Sequence, residues 1–159
     1  MMIRMSPFTR ILSIAAALSG ASAYAQMANA AGADLFTKHC VVCHQADGEG
    51  VPGLAPPLVG ALKKVAEIDL GRTYIAHVLV SGMAGTIKTR SGKFTGAMPS
   101  QAALSDHELA AIASYVLTTF NASPVVLQPE GFAALRSKPL PPAEVRKLRE
   151  QVLAQVGGQ

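Results

Sequence analysis

Cysteine is scarce in this sequence, and its scarcity limits the metal chemistry that the chain can support. Of 159 residues, only Cys40 and Cys43 are cysteines. A structural zinc site needs four ligands, mostly cysteine and histidine. The two histidines far from this pair, His77 and His107, are isolated along the chain. The sequence therefore argues against a zinc site and leaves other uses of the two thiols open.

The sequence also has few aromatic residues and only a small net charge. The chain contains 5% aromatic residues and has a formal net charge of +4. No basic stripe is interleaved with aromatic side chains, which would be typical of nucleic-acid binding. Two of the 14 basic residues, Arg4 and Arg10, lie in the segment that we predict below to be removed, which lowers the charge to +2. We therefore expect no nucleic-acid partner.

The hydrophobic run at the amino terminus is too short to cross a membrane comfortably. Eight mostly apolar residues begin at Ile11, after two arginines and before the small-residue sequence Ala23-Tyr24-Ala25. A membrane-spanning helix needs about 20 apolar residues, whereas this arrangement is typical of a secretory signal peptide. We predict a signal peptide over residues 1–25, cleavage before Gln26 and export to the periplasm. A cut after Ala30 and an uncleaved anchor remain alternatives, and only the anchor would imply membrane association.

The two cysteines and the histidine that follows them form the motif Cys40-Val41-Val42-Cys43-His44. This C-x-x-C-H spacing is typical of c-type haem attachment. Each thiol can add across one vinyl group of the haem, and the imidazole of His44 then lies under the iron. A thioredoxin-like redox centre would require a preceding strand, but residues 34–39 have a helical pattern. A disulfide-active protein remains the alternative without haem.

Local sequence patterns predict helices, a loop and one hairpin. Ser105 and Glu108 form a capping box, which is a signal for a helix start. Asp69 is the expected N-cap of another helix, and Gly82 its terminator. Many glycines and prolines predict irregular structure over residues 45–60. The predicted helices cover residues 32–43, 69–81, 105–120 and 143–156, and the predicted hairpin covers residues 86–95.

A second axial ligand for the iron has to come from outside the first helix. Thioether sulfur is a soft ligand that favours reduced iron, and the candidates in the mature chain are Met27, Met83 and Met98. We favour Met98, because it is expected in an extended loop beside a proline. Met83 follows a predicted helix end and is better explained by packing. The carbonyl of Pro56 is a candidate acceptor for the second imidazole nitrogen of His44, although a rigid surface loop would explain Pro56 equally well.

Together these residues resemble the class I cytochromes c. The resemblance covers roughly residues 32–120 and rests on the C-x-x-C-H motif, on Ala55-Pro56-Pro57-Leu58-Val59-Gly60 and on Met98-Pro99. Gly32 and Phe36 in the first helix, with Ile112 and Tyr115 in the last, are similar to the family's crossing helices. The second proline at Pro57 departs from the family pattern, and the segment after Asn121 has no counterpart in its minimal fold.

The resemblance implies an all-α fold, with three to five helices around one covalently attached haem c. To this fold it adds a short β-hairpin insertion, which resembles the variant in cytochrome domains attached to dehydrogenases and copper nitrite reductases. The implied organisation is a linker over 26–31, a cytochrome c domain over 32–120 and a proline-rich arm over 121–159 that ends in an amphipathic helix. The implied roles are thioether bonds for Cys40 and Cys43, axial ligation for His44 and Met98, and a supporting hydrogen bond for Pro56.

The expected function is one-electron transfer without catalysis, because a His/Met iron has no open coordination position. The protein would be a soluble shuttle or the haem subunit of a periplasmic dehydrogenase or reductase. Its partners would be such an enzyme or a terminal oxidase, bound through a small transient interface. The arm would either pack on its own domain or dock on a partner. The alternative function is a ligand-binding or peroxidatic haem protein with an open distal site.

Overall fold

The computed structural model describes residues 29–158, and these form a mostly helical protein with one antiparallel hairpin. The predicted signal peptide, its cleavage site and Met27 lie outside the described residues. None of the helices formed by residues 29–158 combines the length and the apolar character needed to span a bilayer. The elements in chain order are α1 (29–39), α2 (Val41–His44), α3 (Lys63–Glu67), α4 (Asp69–Ser81), β1 (Met83–Thr89), β2 (Gly92–Met98), α5 (Asp106–Tyr115), α6 (Pro129–Arg136) and α7 (Pro142–Gln155).

Helix α1 crosses α5 at close range, as the glycine and aromatic pattern predicts. A Cβ atom on Gly32 would lie 2.4 Å from the carbonyl oxygen of Ala111 and 2.7 Å from Cβ of Tyr115. Only glycine therefore fits at this crossing. The ring of Phe36 lies 5.6 Å from that of Tyr115 and 5.2 Å from that of Phe120, measured between centroids. This aromatic cluster joins the first helix to the end of the last predicted core helix.

Helix α4 covers the predicted residues but begins differently. Asp69 is its first helical residue, and the N-cap is Ile68, which makes no capping side-chain bond. The prediction that Asp69 is the N-cap is therefore wrong by one position. The carboxylate of Asp69 instead pairs with Arg72 one turn later. The helix ends at Gly82 as predicted, where φ is +73° and the backbone N–H donates to Val78 at 3.0 Å.

The hairpin is longer than the sequence pattern indicates. Its ladder runs from Met83 paired with Met98 to Thr89 paired with Gly92. Met98 is thus the last residue of β2, and the expectation that it lies in an extended loop is wrong. Small residues such as Gly96 have low strand propensity, so the sequence pattern did not indicate that the strand continues to Met98. The strand forms nevertheless, because its ladder is made of backbone hydrogen bonds.

The capping box at Ser105 is confirmed. Its hydroxyl accepts from the Glu108 backbone at 3.3 Å, while the Glu108 carboxylate accepts from the Ser105 backbone at 2.8 Å. Helix α5 then continues as a π-helical turn over Val116–Phe120. The buried side chain of Asn121 closes this end by donating to the carbonyl of Val116 at 3.0 Å and accepting from Leu62 at 2.7 Å.

The segment after Asn121 packs on the rest of the same chain, so the first of the two alternatives for the arm is confirmed. It contains α7, which was predicted, and α6, which was not. Three of its side chains, Phe132, Val145 and Val152, are at most 1% exposed and belong to the same buried cluster as residues of α4 and α5. The arm is therefore part of the hydrophobic core.

Candidate functional site

A large cavity opens between two groups of elements that we name as walls. The attachment wall is formed by α1, α2 and the loop from Gln45 to Gly60, and the methionine wall by α4, the hairpin and α7. Side chains of α5 also line the cavity, and the lining is mostly apolar. All the predicted site residues line this one cavity: Cys40, Cys43, His44, Pro56 and Met98.

The two cysteines lie at the start and within the single turn of α2. Cys40 stands at the turn between α1 and α2, where the amide of His44 donates to its carbonyl at 2.9 Å. Both cysteines are free; Cys40 is half-buried and Cys43 is exposed. Burial, and secondly the neighbouring Cys43, raise the pKa of Cys40 to about 11. Redox-active C-x-x-C pairs have a lowered thiol pKa, so this environment is unfavourable for disulfide exchange.

His44 is buried and has one defined hydrogen-bond partner. Its Nδ1 lies 3.2 Å from the carbonyl oxygen of Pro56. A carbonyl oxygen can only accept, so Nδ1 carries the proton and Nε2 keeps its lone pair. Burial lowers the pKa of His44, against the opposing effect of the Pro56 hydrogen bond. The imidazole is therefore held in the neutral form and the tautomer that bind a metal through Nε2.

The loop that carries Pro56 is closed tightly back on α2. The amide of Gly50 donates to the carbonyl of His44 at 3.0 Å, and Val51 and Ala55 form an isolated β-bridge. Gly50 has a φ of +70°, and a Cβ there would lie 2.4 Å from the Ala55 carbonyl oxygen. Glycine is thus required at Gly50. The loop closure is what places Pro56 beside His44.

Two methionines, rather than one, face the cavity from the methionine wall. Met98 and Met83 are paired across the hairpin ladder, and both are half-buried. Met83 was predicted to serve in packing only, and it does pack against the core cluster, but it also lines the cavity. The hydroxyl of Tyr74 donates to its sulfur at 3.8 Å.

Sequence reasoning missed two polar residues of this wall. Neither Tyr74 nor Arg149 was identified as a site residue from the sequence, although both line the cavity. Arg149 is 7% exposed, and its Nη2 donates to the carbonyl of Lys88 at 3.0 Å. A usable signal was its helical spacing, because Arg149 lies four residues after Val145 and three before Val152, on one face of α7.

The donor set fits haem c and does not fit a zinc ion. Two thiols beside a buried imidazole with a free Nε2 match covalent attachment and axial ligation, and thioether sulfur is available in the same apolar cavity. Within residues 29–158, no group of three or more histidine, cysteine or acidic side chains could hold a metal ion by itself. A porphyrin would supply the remaining ligands.

Comparison with known proteins gives the same assignment. Residues 29–120 match the family described as Cytochrome c. One cytochrome c-552 from Thermus thermophilus is 36% identical over 135 residues, covering 81% of this chain and 85% of the relative. A second cytochrome c-552 from Thermus thermophilus is 36% identical over 130 residues, covering 78% of this chain and 92% of the relative.

Both matches extend beyond the family model. Residues 1–120 make up about three quarters of the 159-residue chain, so a match over 81% or 78% of the chain includes part of the arm. The similarity to these relatives is therefore not confined to the minimal haem domain. This chain belongs to the cytochrome c family, whose members bind covalently attached haem c and transfer electrons.

Proposed function

We propose that this chain is a periplasmic mono-haem cytochrome that carries single electrons, with thioether bonds at Cys40 and Cys43 and axial ligands from His44 and Met98. The observation that carries the proposal is the convergence of these side chains on one apolar cavity. The domain division follows: the cytochrome c domain covers residues 32–120, and the arm over 121–159 completes its core.

The attachment wall orients the imidazole of His44 for binding iron. Because Pro56 accepts from Nδ1 of His44, the ring is held in one tautomer and its basicity is raised. When bound, haem c supplies an iron that gains and loses one electron. The apolar lining excludes water, and a thioether ligand favours the reduced state. With both axial positions filled, the chain has no substrate site and is not expected to act as an enzyme alone.

We favour a soluble shuttle over a permanently bound subunit. The apolar face of α7 was the candidate docking surface, but Val145 and Val152 are fully buried in the protein's own core. Outside the cavity lining, the exposed large apolar side chains of the attachment motif and its loop are Val42 and Val59, at 84% and 40% exposure. So few exposed apolar side chains suit a brief encounter with a redox partner rather than a stable complex.

Optical spectroscopy of the exported protein tests the proposal. We expect haem to remain on the polypeptide after acid-acetone extraction, and the oxidised protein to show a sulfur-to-iron charge-transfer band. Met98→Ala should keep the haem and lose the band. Carbon monoxide binding by the native reduced protein at neutral pH would favour an open distal site instead, and absence of covalent haem would favour a disulfide-active protein.

Export is tested by mass spectrometry of the periplasmic fraction. We expect a mature chain that begins at Gln26, or after Ala30 if the later cut is used. Retention of the full mass in the membrane fraction would instead support an uncleaved anchor.

A further inference from the structure

The methionine wall holds two possible sulfur ligands, and a hydrogen bond to one of the two sulfur atoms distinguishes them. Met83 and Met98 are directly paired in the hairpin, and both line the cavity. Directly paired residues in an antiparallel ladder have Cα atoms only about 4.5–5.5 Å apart. Position in the fold alone therefore does not explain why one thioether rather than the other should be the ligand.

The two sulfur atoms differ in their hydrogen bonding. The sulfur of Met83 accepts from the Tyr74 hydroxyl at 3.8 Å. No donor to the sulfur of Met98 is present among residues 29–158. Thioether sulfur is a weak acceptor, but the bond engages a lone pair of Met83 that ligation of iron would need.

Arg149 is a neighbour of Tyr74 that does not compete with Met83 for the hydroxyl proton. Arg149 lies near the Tyr74 hydroxyl and interacts with it electrostatically, and a guanidinium can only donate, so it cannot take the hydroxyl proton. The acceptor of that proton is the sulfur of Met83. Arg149 itself is anchored by donation to the Lys88 carbonyl at 3.0 Å. Burial raises the pKa of Tyr74 to about 12, although Arg149 opposes this, so the hydroxyl keeps its proton at physiological pH.

We propose that Tyr74 is a positioning residue that holds Met83 away from axial ligation and so selects Met98. The inference rests on the proposed function, because it presupposes a haem iron in this cavity. To replace Met98, the sulfur of Met83 would have to leave the Tyr74 hydroxyl buried without an acceptor, which is unfavourable. Removing that hydroxyl should make Met83 available.

The test uses the charge-transfer band of the oxidised holoprotein and the methyl resonance of the axial methionine in the reduced protein. Met98→Ala should lack both signals. The double variant Met98→Ala/Tyr74→Phe should recover them, and adding Met83→Leu should abolish them again. A merely structural role for Tyr74 would not restore a lost ligand signal.

Matched variants separate the possible failures. Met98→Ala/Tyr115→Phe removes a hydroxyl from a tyrosine in the aromatic cluster near Phe36 and should recover nothing. If Met98→Ala/Tyr74→Phe binds haem and folds but shows no band, the selection proposal is wrong while the His44/Met98 assignment stands. If Met98→Ala alone shows the band through Met83, Tyr74 does not hold Met83 and the proposal is also wrong. Loss of the band in Met83→Leu alone would overturn the Met98 assignment itself.

Discussion

The hydrogen bonds that orient key side chains on the two sides of the cavity join residues at very different separations along the chain. In the attachment wall, His44 and its acceptor Pro56 are 12 residues apart. In the methionine wall, Arg149 donates to Lys88 across 61 residues. The thiols, His44 and its acceptor come from one segment of chain, whereas the methionine wall is built from distant segments and needs the entire fold. We therefore expect haem attachment and methionine ligation to respond differently to the same perturbation.

The largest loss of stability is expected when a buried side chain of the arm is removed from the core behind the methionine wall. Phe132 on α6 is 1% exposed, and large-to-small changes of buried aromatic residues cost about 3–5 kcal/mol. We expect Phe132→Ala to lower the free energy of unfolding by that amount in urea titrations of the holoprotein. The haem should stay attached, because Cys40 and Cys43 lie in the other wall.

The control for this change is Val126→Ala, since Val126 is 56% exposed. Surface substitutions of this kind usually change stability by less than about 0.5 kcal/mol. Equal effects of the two substitutions would show that the arm does not stabilise the domain.

A smaller loss of stability is expected where α1, which is part of the attachment wall, crosses α5. A Cβ on Gly32 would clash with the Ala111 carbonyl oxygen at 2.4 Å, and overpacking of this kind costs about 1–3 kcal/mol. Gly131 in α6 is the matched control, because a Cβ there meets nothing within 4 Å. Gly131→Ala should be neutral or stabilise the protein by up to about 1 kcal/mol, since alanine favours helix.

Chemical unfolding of both glycine variants measures the difference. An unchanged midpoint for Gly32→Ala would mean that α1 and α5 can separate without cost. Because the crossing anchors α1 directly before Cys40, Gly32→Ala should also lower the yield of haem-loaded protein.

The smallest expected effect is a pH dependence of stability that comes from His77, a buried residue of α4. Its Nδ1 has no hydrogen-bond partner among the described residues, and burial lowers its pKa from 6.5. Between this lowered pKa and about pH 6.5, the unfolded chain therefore binds more protons than the folded chain. The stability contributed by neutral His77 is present above that pH and is lost as the pH falls through the lowered folded pKa. For one proton the slope is at most about 1.4 kcal/mol per pH unit.

Urea unfolding between about pH 7.5 and pH 5 measures this dependence. We expect His77→Gln to flatten the loss of stability at low pH. His107→Gln should leave it unchanged, because His107 is exposed in the first turn of α5. Identical slopes for wild type and His77→Gln would contradict the prediction.

Most of the secondary structure was predictable because its signals are local. The capping box at Ser105, the Gly82 helix end and the amphipathic stripe of α7 each lie within a few residues of the boundary or face that they specify. Helix α6 was missed because prolines surround it, although Pro129 at its first turn is compatible with a helix start. The full length of the hairpin was missed because its ends contain glycine and alanine, which have low strand propensity although their backbone is paired.

The sequence by itself determined the type of protein, since C-x-x-C-H places two thiols and an imidazole within one helical turn, and no distant residue is needed to bring them together. Only the tertiary structure decided the composition of the methionine wall. It paired Met83 with Met98, placed Tyr74 against one of the two sulfur atoms, and brought Arg149 from the arm to the cavity. The physical reason is range: these contacts join segments that are far apart in the chain, and only the packing of the complete core brings them together.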